Sequence, residues 1–228
     1  MKETALIALF TVVALSMTAQ DKLTHINSED IAWQKKNRQY IFFDKEKARL
    51  LMPHDAAFGV ECIPSFSPEW SLTYDSIAHS LVYHEAQKSI WYSTHDAMYK
   101  KKTKIDRKRD RKIIKRKLRK SPKDYQAPDV KTYTLTISAD QVQMLKAIWS
   151  SAIGTAEWKP DGTLDGTTWI YFIGEKQAKA HTPNVPSIVK LTEQLVKAVK
   201  TGDASSKDQL IENEFQRVVS NLTIESTP

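Results

Sequence analysis

Between Lys100 and Lys120 the sequence reads KKKTKIDRKRDRKIIKRKLRK, fourteen Lys and Arg against two Asp. Chemistry available to such a run is the binding of anions. The cationic residues are Lys100, Lys101, Lys102, Lys104, Arg107, Lys108, Arg109, Arg111, Lys112, Lys115, Arg116, Lys117, Arg119 and Lys120. Their local balance is +12, and because the whole chain carries +7, every other residue together sums to −5. The basic character therefore belongs to one segment and not to the general surface. Like charges in a block repel and stay solvated, so a plain solvated arm or frayed helix is the alternative to a binding surface. Ile114 and Leu118 are spaced to form a thin apolar stripe if the segment is helical, with Ile105 and Ile113 nearby. The attraction is coulombic, so nucleic acid, lipopolysaccharide phosphates and acidic polysaccharide would all respond to it. No Trp, Tyr or Phe lies between Lys100 and Lys120, which removes stacking on bases and argues against a nucleic-acid partner.

Histidine supplies the second constellation. His79, His84 with Glu85, and His95 with Asp96 fall close together, while His54 with Asp55 and His181 lie apart. A zinc-dependent or otherwise unrecognised hydrolase would draw on His79, His84, Glu85 and His95. Against it, His79 and His84 are an odd number of residues apart, which sends them to opposite faces of a regular strand. The G-x-S-x-G elbow, phosphate-binding loop, dinucleotide glycine pattern and H-E-x-x-H pair are all missing. A calcium loop counted from Asp161 would need a carboxylate at its twelfth position, where Phe172 stands. No catalytic residue, metal ligand or cofactor is assigned. Of the tryptophans, Trp149, Trp91 and Trp169 are expected in the core, and Trp70 and Trp158 are candidates for exposed stacking.

The elements that position these residues begin with an address. Lys2 precedes the apolar run Ala5 to Met17, followed by Thr18, Ala19 and Gln20. The run is shorter than the roughly 20 residues a bilayer-spanning helix needs, so residues 1–20 read as a cleaved signal peptide. The chain is expected to be exported, to the periplasm, cell surface or exterior, with no transmembrane segment after cleavage. Cys62 is the only cysteine, which forbids an intramolecular disulfide and fits a small buried side chain.

After a possible short helix at Ile31 and Trp33, five runs read as strands: Tyr40 to Phe43, Leu50 to Met52, Phe58 to Ile63, Ser71 to Tyr74 and Leu81 to His84. The last two pair as a hairpin across Asp75 to Ser80. Ser89 to Tyr99 is open between strand and helix. Beyond the basic run, Pro122 and Pro128 bracket a linker. Lys131 to Ile137 alternates as a strand, and Ser138 with Gln141 forms a capping box for a helix with Val142, Leu145, Trp149 and Ala152 inward. Thr167 to Ile173 and Gln177 to Ala180 form a hairpin, and two helices close the chain, the first stopped at Gly202. The fold class is α+β, a mainly antiparallel sheet with C-terminal helices packed on it and a basic helical or disordered insert. The expected divisions are 1–20, a strand-rich 21–99, the insert and linker 100–126, and 127–228. Whether 21–228 forms one domain stays open.

Four stretches, Phe66 to Trp91, Ala127 to Ile137, Gln143 to Glu157 and Leu164 to Ile173, resemble uncharacterised exported proteins of gut Bacteroidetes. The resemblance brings no activity with it. It implies O-glycosylation at Asp-Ser/Thr-apolar triplets, which Asp75-Ser76-Ile77 fits, with Ser76 as acceptor. The sequence reading is thus an exported, non-catalytic binding protein. Its partners would be anionic polysaccharide, lipopolysaccharide or, as a protein-interaction module with a basic docking arm, an acidic protein.

Overall fold

Period-two alternation and a few capped helices assemble into one sheet with helices on both faces. The computed structural model describes residues 22–26, 34, 36–52, 56–99, 125–158, 165–183 and 185–225. The strands are β1 (Thr24–His25), β2 (Ala56–Pro64), β3 (Trp70–Asp75), β4 (Ser80–Ala86), β5 (Val130–Thr136), β6 (Thr167–Ile173) and β7 (Lys176–His181). The helices are α1 (Arg38–Leu51), α2 (Ile90–Tyr99), α3 (Ala139–Gly154), α4 (Ser187–Thr201) and α5 (Ala204–Glu225). The strand order is β1-β7-β6-β2-β3-β4-β5, and every neighbouring pair is antiparallel. Strands from before and after the basic segment therefore share one sheet, with β2 hydrogen-bonded to both β3 and β6. The α+β reading and the β3–β4 hairpin hold.

Alternation divides the sheet into two faces. Phe58, Val60, Cys62, Leu81, Tyr83, Trp169 and Tyr171 are buried in the main core beneath α3, α4 and α5. Ile63, Ala86 and Val130, on the opposite parity, join Phe43, Leu51 and Ile90 in a second core under α1 and α2. α3 opens on the expected capping box, the Ser138 hydroxyl accepting from Gln141 N and the Gln141 side chain accepting from Ser138 N. α4 stops at Gly202, whose φ of 70° is the left-handed geometry glycine adopts without strain. Trp149 fills the centre, buried against Phe58 and Tyr171, with its indole N–H donating to Gly59 O at 3.0 Å.

Two expected strands are instead one helix. Tyr40 to Phe43 and Leu50 to Met52 lie in α1 and its C-cap, where Gln39, Phe43, Glu46, Lys47 and Leu51 recur at helical spacing and are all buried. The aromatic run has local strand propensity, but the Asn37 side chain caps the first turn and the following residues are good helix formers. Ser89 to Tyr99, open in the sequence, is α2 with the residue before it. Trp91 consequently reaches the second core from a helix, and Trp70, expected exposed, lies in β3 half-buried with its ring 5.7 Å from Tyr83. Trp158 is exposed as anticipated. The short helix expected at Ile31 and Trp33 lies outside the described residues, as do residues 1–20, expected to form a signal peptide.

Gly59 gives a direct check on the packing. A Cβ there would sit 2.6 Å from Leu72 O and 2.9 Å from Thr73 Cγ2, so the backbone of two strands must shift to admit it. Gly59→Ala is expected to lower the unfolding free energy by about 1–3 kcal/mol in denaturant titration.

Candidate functional site

The fourteen basic residues from Lys100 to Lys120 lie outside the described residues, and what the fold shows is how their two flanks are held. On the N-terminal side the chain leaves from α2, whose first turn is fastened by a buried acid. Glu69, fully buried, accepts from Ile90 N at 2.6 Å, Trp91 N at 3.0 Å and Ser89 Oγ at 3.0 Å. A carboxylate on the free N–H groups of a helix start satisfies those donors and complements the helix dipole. Trp91 then packs edge-on to Phe43 of α1 at 5.3 Å and to Tyr40 at 5.9 Å.

On the C-terminal side the chain re-enters at Tyr125, whose ring meets Phe42 of α1 edge-on at 5.0 Å. Burial, reinforced by the nearby Glu46 carboxylate, pushes the Tyr125 hydroxyl up to about 12, so it is neutral at physiological pH. Glu46 is itself paired with Arg49, which donates through Nε at 3.1 Å and a terminal nitrogen at 2.6 Å. Pro128 is buried, and β5 follows. The elements on either side of the segment, α2 through Trp91 and the chain at Tyr125, thus both pack on α1.

α1 in turn is fixed to the sheet by a buried ion pair. Lys47 of α1 donates to Glu61 of β2 and lies 3.3 Å from Asp44, with its side chain only 7% exposed. Burial by itself would lower the Lys47 pKa, but the Glu61 and Asp44 carboxylates outweigh it and hold the ammonium above its ordinary value. Ser71 Oγ donates to Leu51 O at the end of the same helix. These anchors are not legible in the sequence as a site, because Glu69, Lys47, Glu61 and Tyr125 are scattered along the chain and each looks like an ordinary surface residue.

No protein-family model, curated protein or solved structure matches this chain.

Among the described residues the histidines are not gathered. His79 occupies the β3–β4 turn at φ 47°, its Nδ1 3.3 Å from Tyr74 Oη. His84 points to the α1 face of the sheet, its Nδ1 2.9 Å from Thr132 Oγ1, and burial lowers its pKa. Glu85, the next residue, points to the other face and accepts from Lys200 Nζ at 3.2 Å. His95 stands on α2 beside Asp96 at 3.7 Å. Among the described residues no group of three or more His, Cys, Asp or Glu is placed to hold a metal ion. His54 and Asp55, together with Asp161, lie outside the described residues.

Cys62 is buried, and burial drives its thiol pKa far up, so the thiolate is not populated at neutral pH. Ser76 is exposed in the β3–β4 turn beside exposed Ile77, while Asp75 Oδ1 accepts from Ile77 N and Ala78 N. Lys200 of α4 is held by Glu85 and by the faces of Tyr83 and Tyr133, at 5.4 Å and 5.8 Å from their centroids, which ties α4 to the sheet. No helix among the described residues is long and apolar enough to cross a membrane.

Proposed function

We propose that the protein is an exported, non-catalytic binding protein whose segment from Lys100 to Lys120 engages an anionic polymer of the cell envelope or surrounding matrix. The carrying observation is the concentration of a +12 balance in that one stretch of a chain whose remainder is −5. The elements on either side of the stretch, α2 through Trp91 and the chain at Tyr125, are held to α1 by contacts of their own. The apolar run at Ala5 to Met17 supports export, which puts lipopolysaccharide phosphates and acidic polysaccharide within reach and genomic nucleic acid outside it. Fourteen basic side chains without an interleaved aromatic would recognise charge density and not a particular monomer.

Retention on immobilised heparin, compared with an uncharged dextran matrix, tests the reading. The mature chain is expected to bind heparin at low salt, elute as salt rises and pass through dextran unretained. Passage through both matrices at low salt would refute it.

A further inference from the structure

The opposite edge strands of the sheet are unequal. β1 has two residues, whereas β5 runs from Val130 to Thr136 with β4 on one side and no strand on the other among the described residues. The phase of its backbone follows from two hydrogen bonds at its ends, Ile137 N to His79 O at 3.0 Å and Gln87 N to Asp129 O at 2.8 Å. In this ladder odd-numbered residues of β5 direct N–H and C=O toward β4, so Val130, Thr132, Thr134 and Thr136 direct theirs outward. Lys207 agrees with that phase by donating from Nζ to Thr136 O at 2.8 Å. That lysine closes one end of the edge, and among the described residues none pairs with the stretch from Val130 to Thr134 on its outer side.

We propose that this edge pairs with β5 of a second copy of the chain, antiparallel and centred on Thr132, joining two sheets into one. An unprotected run of outward N–H and C=O groups is a template for strand addition, and the sequence of this edge complements itself. With the two-fold axis at Thr132, Val130 faces Thr134 of the second copy and Thr132 faces Thr132. These are hydrogen-bonding pairs of outward-facing residues, with β-branched side chains in register. Lys131, exposed, then lies opposite Tyr133 of the copy on the same face, a cation beside an aromatic ring. Centring instead on Tyr133 would pair Thr136 with Val130 and demand the Thr136 carbonyl that Lys207 already occupies. The lysine therefore disfavours that register as well as closing the end. A symmetric pairing of this kind closes on itself and stops at a dimer, because the other edge is the short β1.

A ladder of this length is a small interface, so dissociation at about 10–100 µM is expected. Sedimentation equilibrium of the mature chain across and above that range should show a reversible monomer–dimer equilibrium. Thr132→Pro removes an outward N–H and keeps the backbone hydrogen bonds to β4, giving up only the Thr132 Oγ1 contact with His84, and should leave the protein folded and monomeric. Thr132→Cys should form a covalent dimer under mild oxidation about ten times more efficiently than Thr134→Cys, since only the former faces itself across the axis. This comparison decides the matter if the proline variant fails to fold. A chain that stays monomeric throughout overturns the proposal and leaves the edge to an extended segment of another protein. So does a folded Thr132→Pro variant that dimerises undiminished, or equal cross-linking of the two cysteine variants.

Discussion

Replacing Lys47 by alanine is expected to remove about 3–5 kcal/mol of unfolding free energy, because it leaves the Glu61 carboxylate half-enclosed beneath α1 with its cation gone. Much of that loss is the desolvated charge left behind and not the attraction of the pair itself. Lys47→Met combined with Glu61→Leu should therefore recover most of the stability lost in Lys47→Ala, and a cycle of Lys47→Met, Glu61→Leu and their combination separates the two contributions. The pH dependence has a definite sign. The Lys47 pKa is raised in the folded state, so the pair contributes fully below the ordinary lysine value of 10.5 and its contribution is lost as pH climbs through the raised value. Wild type should destabilise in that alkaline window more steeply than the double variant. Equal stability of Lys47→Ala and wild type in denaturant would mean that α1 is not fixed to β2 by this pair.

Substituting residues 100–120 with a Gly/Ser linker of equal length should do the reverse. Polyanion affinity is expected to fall by roughly 100-fold or more at low salt, since nearly all the favourable charge is removed. Stability should change by less than about 1 kcal/mol, because loop length and hence closure entropy are preserved. The basis is the independent fastening of the flanks: Glu69 and Trp91 hold α2 on one side, and Tyr125 packs on Phe42 on the other. Unfolding of the linker variant, read by circular dichroism and melting, would mean that the basic residues pack into the body.

Which parts of this arrangement can be read from sequence follows from the range of the interactions that decide them. The β3–β4 hairpin, the Ser138–Gln141 box and the stop at Gly202 are fixed by residues a few positions apart, so pattern alone places them. α1 is hidden because the strand-like composition of Tyr40 to Phe43 masks the Asn37 cap in the sequence, while its buried face and its tie to Glu61 are visible only in the fold. α2 stands open between strand and helix for a similar reason. Its first turn is completed by Glu69, a side chain some twenty positions upstream. The sharing of one sheet by the two halves rests on β2 pairing with β6, more than a hundred positions away, which no local signal announces. The proposed anionic-polymer site is legible in one respect only, its charge. The histidine constellation illustrates the converse, since residues close in sequence are sent to a turn, to one face of the sheet and to a separate helix.

If binding is coulombic and confined to Lys100 to Lys120, the salt dependence of affinity must carry its signature. Heparin or lipopolysaccharide affinity of residues 21–228 should be measured across a series of salt concentrations, alongside the linker variant. If about five phosphates or sulfates are neutralised, log K should fall against log salt with a slope of roughly −4 to −5, and the linker variant should show little residual affinity. A wild-type slope near zero, or a linker variant that binds as tightly with the same slope, would contradict the account.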